Sequence, residues 1–270
     1  MKISIITVCF NSEKTIRKTL ESIKSQKSKK IEHLIIDGKS TDNTLSIVDQ
    51  YPYEKKIVSE SDKGIYDAMN KGVAQATGDL IGFINGGDFI YEDTLTTINK
   101  IFSDQKTNLF FSVADIDYVD KDNNIIGTKV CRSNDQIIKR KYLEMPANHL
   151  GMFVPLKTFK EYGFFDLRFK NRADFLFILK LIENGFKPLN LKKKIGGFRI
   201  GGISGGYLTF LENFRIIQIV GGNFFVAFYS TFLGISKLFF QRNFPVIYKF
   251  VAQLYYKLNT DIQKKEKFVT

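Results

Sequence analysis

The feature that most constrains this chain is the alternation of short apolar, β-branched runs with helical segments through its N-terminal part. Ile3 to Phe10 is a continuous apolar run, as expected of a strand buried on both faces of a parallel sheet. Asn11 and Ser12 follow as turn and cap residues, and Glu13 to Ser25 carries Ile16, Leu20 and Ile23 at helical spacing. The pattern then predicts a strand at His33 to Ile36, a helix at Asn43 to Gln50 and a strand at Lys56 to Ser59. A helix at Gly64 to Ala76 and a fourth strand at Leu80 to Ile84 complete it. This alternation specifies an open α/β sheet, mainly parallel, with flanking helices.

The following segment is mixed. Asp93 to Phe102 is expected to be helical, and Leu109 to Val119 alternates. Asn123-Asn124 before Ile125 to Cys131 suggests a hairpin. Helices are expected at Phe153 to Tyr162 and Phe175 to Asn184, and a Gly-rich loop at Gly196 to Gly206. Composition changes at Tyr207, which divides the chain into residues 1–205 and 206–270. Ile216 to Ser236 carries no charged residue and lies between Arg215 and Lys237, a length that permits a membrane span. It also contains Gln218, Gly221, Gly222, Asn223, Ser230 and Thr231. The aromatic and basic runs LFFQRNF and IYKFVAQLYYKL that follow suit a bilayer interface. Three readings stay open here: amphipathic helices on a membrane surface, helices packed on the first domain, or a span.

A net charge of +12 points to an anionic partner: nucleic acid, anionic lipid or a phosphorylated substrate. The basic residues are spread along the chain, with neither zinc-finger spacing nor an RNA-binding aromatic signature, so no nucleic acid partner is expected. Cys9 and Cys131 make no disulfide framework, which favours a reducing compartment. The start, MKISIITVCFN, lacks the form of a signal peptide, so the first domain is expected on the cytoplasmic side.

Candidate chemistry lies at the carboxyl ends of the predicted strands, where open α/β sheets bind ligands. Asp88 closes the run NGGD just past the fourth strand, and a hard oxygen ligand there can hold Mg2+ or Mn2+ against a diphosphate; a turn cap is the competing reading. Thr7 to Asn11 can contact a nucleotide through backbone and side-chain groups, or form an ordinary turn. Asp37 can accept hydrogen bonds from a base or ribose, or simply end its strand, while Asp42 reads as a helix cap. Asp174 begins a helix, where a carboxylate also complements the helix dipole.

Taken together, SIITVCFN, HLIIDGKSTDNT, SESDKGIYDAMNKGVAQATGDLIGFINGGD, ANHLGMF and GFFDLRFKNRADFLFILKL occur in this order across residues 1–205. The set resembles the family 2 glycosyltransferases of the GT-A fold, a Rossmann-like nucleotide-diphospho-sugar transferase fold. The bacterial members that build capsule, O-antigen or exopolysaccharide units are the most similar. The resemblance implies that Thr7, Cys9 and Asn11 frame the nucleotide and that Asp37 contacts its base or ribose. Asp62 and Lys63 would lie in the loop that closes over the nucleotide-sugar, with Asp67 and Asn70 lining the donor pocket. Asp88 matches the last acid of the metal motif, but Asn85-Gly86-Gly87 precede it where relatives often carry a second acid. Asp174 matches the catalytic base, with Ala173 where an acid usually precedes it. His149 would contact the acceptor or the diphosphate, or serve as a core or capping residue; Arg172 and Arg199 would meet phosphate. The implied enzyme is an inverting, metal-assisted hexosyltransferase at the inner face of the cell membrane. It would move sugar from a nucleotide-diphosphate-sugar to a glycan or lipid-linked glycan acceptor. The reduced metal motif motivates the alternative, a membrane-associated binding or scaffold protein on the same fold.

Overall fold

In the computed structural model the chain runs β1 (Ile3–Cys9), α1 (Ile16–Lys24), β2 (Ile31–Asp37), α2 (Thr44–Asp49), β3 (Lys56–Ser59) and α3 (Ile65–Gln75). There follow β4 (Leu80–Phe83), β5 (Phe89–Ile90), α4 (Thr94–Ser103), β6 (Phe110–Val119), β7 (Ile125–Lys129) and α5 (Asn134–Lys139). A single helical turn, His149–Gly151, leads into β8 (Phe153–Pro155), α6 (Leu156–Tyr162), α7 (Ala173–Glu183) and β9 (Lys187–Arg199). The last elements are α8 (Tyr207–Ile219) and α9 (Phe224–Asn243). The structure describes residues 1–27, 30–53, 55–104, 109–201, 207–244 and 247. Two units divide the chain, Met1–Ser204 and Gly205–Thr270.

All seven residues of β1 are buried, so this strand must lie inside a sheet covered on both faces. It is the centre of a five-stranded sheet of order β3-β2-β1-β4-β8. The first four strands are parallel, and β8 runs antiparallel to β4. The chain builds outward from β1 to β3, then returns to add β4 on the other side. That reversal opens a crevice at the carboxyl ends of β1 and β4. Gly86 holds the two ends together: its N–H donates to Val8 O at 2.9 Å. A Cβ at Gly86 would stand 3.0 Å from Cys9 Cβ and 3.1 Å from Ser12 Oγ, so a side chain there would have to push its neighbours aside.

A second sheet, of order β5-β9-β6-β7, lies beside the first. Ile5, Leu80 and Phe153 of the first sheet share one core with Ile116 and Ile195 of the second. Each fully buried Ile or Phe there stabilises the unit by roughly 1.5–3 kcal/mol. Helix α3 buries Tyr66, Ala68, Met69, Gly72 and Val73, the single stripe that its spacing predicts.

Two expectations are corrected. Gly196 and Gly197 do not begin a loop; they lie in β9, paired with Ile90 and Phe89. A Cβ at Gly196 would stand 2.1 Å from Phe89 O. Glycine is present because two backbones nearly touch, not because the chain turns. Residues 202–206 of the expected loop lie outside the described residues. Phe153 to Pro155 is strand rather than helix, since Pro155 disfavours helical backbone at Val154 and the helix starts only at Leu156. The uncharged stretch from Ile216 to Ser236 is divided between two helices, α8 and α9.

In the C-terminal unit α8 ends at Ile219, and Gly221 takes the left-handed conformation (φ 81°). Asn223 then caps α9 by accepting from Phe225 N–H at 2.7 Å. The two helices pack where Gly234 leaves room for the Phe210 ring, and Thr231 Oγ1 donates to Phe210 O at 3.2 Å. Helix α9 is long and apolar enough to cross a membrane by length and composition alone. Phe225, Phe228, Tyr229 and Phe232 on it are exposed. The run IYKFVAQLYYKL lies, apart from Ile247, outside the described residues.

Candidate active site

The crevice is built from four loops. At the end of β1, Cys9 is buried, and burial together with the nearby Asp37 carboxylate pushes its thiol far above the usual range. Phe10 follows and is 62% exposed. Asn11 takes a left-handed φ of 46° and accepts from Thr41 N–H at 2.9 Å, which ties this turn to the loop after β2. Thr7 lies deeper: it is fully buried, and its hydroxyl meets His33 Nε2 at 2.9 Å. His33 in turn bonds Tyr53 OH at 2.9 Å, and burial drives its pKa down to about 3.

Asp37 ends β2 and is fully buried. Ser40 N–H donates to its Oδ2 at 3.0 Å and Ser40 Oγ to its Oδ1 at 2.5 Å, while Ser59 Oγ donates to Oδ2 at 2.7 Å. Its carboxylate therefore organises the ends of β2 and β3. Gly38 follows, and any side chain there would strike the Asp62 carboxylate, with Cβ at 2.6 Å from Oδ2. Phe10, Gly38 and Asp62 thus converge.

The loop carrying Asp62 and Lys63 is held by its own helix. Gly64 N–H donates to Asp62 Oδ1 at 2.8 Å and Lys63 N–H to Asp67 Oδ2 at 2.9 Å. Lys71 reaches back to Ser61 O at 2.7 Å and pairs with Glu60 at 3.0 Å. Asn70 points elsewhere. It donates to Phe165 O at 2.8 Å and accepts from Phe165 N–H at 2.9 Å, a two-way bond that fixes the segment before α7.

At the end of β4, Asp88 is 4% exposed. Thr19 of α1 grips its turn, donating to Asp88 O at 2.6 Å and accepting from Gly87 N–H at 2.9 Å. The carboxylate faces two ways. Oδ1 accepts from Arg199 N–H at 3.0 Å, and Oδ2 lies 3.2 Å from His149 Nε2. Asn85 Nδ2 also lies 2.8 Å from that ring nitrogen, while Asn85 Oδ1 is buried with no hydrogen-bond partner. His149 Nε2 accepts from Asn85 when the ring is protonated at Nδ1 and donates to Asp88 when it carries the proton itself, so the ring nitrogen serves one of the two at a time. A carboxylate oxygen, an imidazole nitrogen and an orphaned amide oxygen therefore fit a cation that takes its remaining ligands from phosphate and water. Among the described residues no group of three or more His, Cys, Asp or Glu side chains forms a complete cage. Arg199 does not point into the crevice as a free cation. Its guanidinium bonds Asp120 O, Lys121 O and Asn123 Oδ1 at 2.6–2.9 Å and pins the β6–β7 turn.

Asp174 lies in the first turn of α7. Its Oδ1 accepts from Tyr66 OH at 2.8 Å and from Phe175 N–H at 2.9 Å. Burial, and then the Asp174 charge, raise the Tyr66 phenol well above its usual range, so it keeps its proton and donates. Tyr66 begins α3 directly after the Asp62–Gly64 loop, so one helical turn joins that loop to Asp174. Arg172 precedes α7, and its Nε is buried without a partner. Sequence reasoning did not single out Tyr66, Thr19 or Phe10. Phe10 was absorbed into the apolar strand, and the other two look like ordinary helix residues.

The arrangement can be set beside known proteins. The family model for Glycosyl transferase family 2 matches residues 4–160. The chain belongs to this family. An uncharacterized glycosyltransferase of Mycobacterium tuberculosis is 30% identical to this family 2 glycosyltransferase over 183 residues, covering 66% of this chain and 68% of the relative. A PGL/p-HBAD biosynthesis glycosyltransferase of Mycobacterium bovis is 28% identical over 186 residues, covering 67% and 70%. Among solved structures, Staphylococcus aureus TarS 1-349 in complex with UDP-GlcNAc superposes with a TM-score of 0.67 at 21% identity, covering 82% of this chain and 65% of TarS 1-349. GalNAc-T7 with UDP, GalNAc and Mn2+ gives 0.63 at 18% identity, covering 81% and 48%. These structural likenesses establish the fold: a mixed, mainly parallel α/β sheet of GT-A type.

Proposed function

We propose that this family 2 enzyme moves a sugar, with inversion, from a nucleotide-diphosphate-sugar to a hydroxyl of a lipid-linked glycan acceptor in cell-surface polysaccharide synthesis. The observation that carries the reading is the Tyr66–Asp174 pair, which fixes a carboxylate beside the helix that also anchors the Asp62–Lys63 loop. Phe10 would stack against the base, an exposed aromatic being suited to that contact. The Lys63 ammonium would offset phosphate charge.

Asp174 takes the proton of the acceptor hydroxyl as its oxygen bonds to the anomeric carbon. The bond from that carbon to the diphosphate breaks, and its electron pair leaves with the nucleotide. Tyr66 holds the carboxylate in place by donating to the oxygen it occupies. Asp88, His149 and Asn85 would hold Mg2+ or Mn2+, whose contribution is to neutralise charge on the departing diphosphate. The exposed aromatic residues of α9, the basic Lys237 and Arg242 in its C-terminal half and the net charge of +12 support attachment at the cytoplasmic face of an anionic membrane.

The test is Asp174→Asn assayed by nucleotide release and by donor titration. Transfer should fall by at least about a thousandfold with donor binding retained, within the range expected for loss of a general base. Unchanged transfer removes Asp174 from the mechanism. A wild-type protein that binds no nucleotide-sugar favours the scaffold reading.

A further inference from the structure

The loops after β1, β2 and β3 leave one carboxylate oxygen open beside an exposed aromatic ring. That oxygen does not belong to Asp37, which is fully buried and accepts from Ser40 and Ser59 through both of its oxygens. It belongs to Asp62. Asp62 Oδ1 accepts from Gly64 N–H at 2.8 Å, and among the described residues no hydrogen bond or ion pair reaches Oδ2. Gly38 places it. The point a Cβ would occupy at Gly38 lies 2.6 Å from Asp62 Oδ2 and 3.4 Å from Cβ and Cδ2 of Phe10. The carboxylate therefore rests against bare backbone, in the space a side chain would take, with Phe10 as its neighbour. Gly38 N–H donates to Cys9 O at 2.9 Å, which locks the turn that carries Phe10 to the turn that carries Gly38. Phe10 is exposed, so its ring is open to a planar ligand.

We infer that Asp62 selects the base of the donor: its Oδ2 accepts the ring N–H of a uracil or thymine stacked on Phe10. This assignment rests on the nucleotide-diphosphate-sugar donor proposed above. An ionised carboxylate offers acceptors only, so it favours a base edge that presents a proton. Uracil and thymine present one ring N–H between two carbonyl groups, and one open oxygen matches one proton. Cytosine and adenine turn an unprotonated ring nitrogen to the same place, and the carboxylate repels its lone pair. Guanine presents two adjacent donors, which call for two oxygens side by side, and Oδ1 is held by Gly64. Stacking on Phe10 tolerates any base and supplies affinity, while Asp62 supplies the choice. The donors expected are uridine or thymidine diphosphate sugars.

The test is calorimetry on the full-length protein with Mg2+, using UDP, N3-methyl-UDP, 2′-deoxy-UDP, CDP and GDP. UDP should bind at least about tenfold more tightly than N3-methyl-UDP, CDP or GDP, the worth of a hydrogen bond to a charged group. The 2′-deoxy compound, which keeps the ring N–H, should bind more tightly than N3-methyl-UDP. Asp62→Asn keeps an oxygen for Gly64 N–H and turns an amide donor to the base. UDP should then weaken at least about tenfold, while CDP binds more tightly than it does to the wild type. Gly38→Ala pushes the Asp62 carboxylate aside and should bring UDP down to the level of N3-methyl-UDP. Equal binding of UDP and N3-methyl-UDP by the wild type overturns the assignment and needs no variant. If 2′-deoxy-UDP alone is weakened, Asp62 serves the ribose and the assignment is again overturned. An Asp62→Asn protein that loses UDP and CDP alike makes Asp62 a support for its loop rather than a contact of the base. If none of the five nucleotides binds, the donor reading itself has failed, and the base assignment falls with it.

Discussion

Acidification from pH 7 to pH 5 should destabilise the N-terminal unit through His33. His33 is held neutral between Thr7 and Tyr53, with burial taking its pKa from 6.5 down to about 3. The unfolded chain therefore binds a proton near pH 6.5 that the folded protein refuses until about pH 3. Stability from this group is complete above pH 6.5 and is lost progressively as pH falls toward 3. At about 1.36 kcal/mol per pH unit below the unfolded value, the loss is about 2 kcal/mol at pH 5. Few other groups interfere, because the sequence has two histidines and free carboxylates ordinarily titrate at about 4. Urea unfolding of wild type and His33→Gln at both pH values isolates the effect. The variant is expected to be weaker at pH 7 yet to lose about 2 kcal/mol less on acidification. Equal pH slopes in the two proteins would refute the reasoning, because the second histidine, His149, is common to both.

Tyr66→Phe should lower turnover about tenfold, the worth of one hydrogen bond to a charged group. Donor KM should barely move, since the ring stays packed 5.4 Å from Phe165, while the lost hydrogen bond should lower the melting temperature by a few degrees; steady-state kinetics with thermal melts checks both. Gly196→Ala drives a methyl group into Phe89 O, and should cost about 1–3 kcal/mol and roughly 5 °C in melting temperature by calorimetry. Phe225→Asp with Phe228→Asp should weaken binding to anionic vesicles at least about tenfold in flotation assays, without affecting UDP binding. Vesicle binding equal to wild type would detach α9 from the membrane.

How legible the fold was depended on whether its determinants are local. The run from Ile3 to Cys9 names its own environment, because only a strand covered on both sides tolerates six apolar or β-branched residues among seven. Gly196 misled for the opposite reason: its requirement comes from Phe89, a distant partner that composition cannot reveal. Pro155 did carry a local signal that outweighs the apolar spacing around it. At the site, Asp88 and Asp174 were visible as carboxylates at element ends. The groups that aim them were not, since the Tyr66 hydroxyl and the Arg199 amide look unremarkable until the chain has closed on itself. Asn70 belonged to a motif, yet its amide is spent on the Phe165 backbone.

The order of assembly follows from where Asp88 finds its partner. Arg199 supplies that backbone N–H from 111 residues downstream, and Tyr66 waits for Asp174 across 108. Contacts of such sequence separation form late, after the loop-closure entropy has been met. A nascent chain that ends with the family-matching segment at residue 160 holds the loops proposed to bind the donor but lacks both Asp174, the proposed base, and the strand that orients the Asp88 carboxylate. On the proposed mechanism, competence for transfer therefore arrives last, with β9, and partly made or partly unfolded chains would have no means of consuming activated sugar.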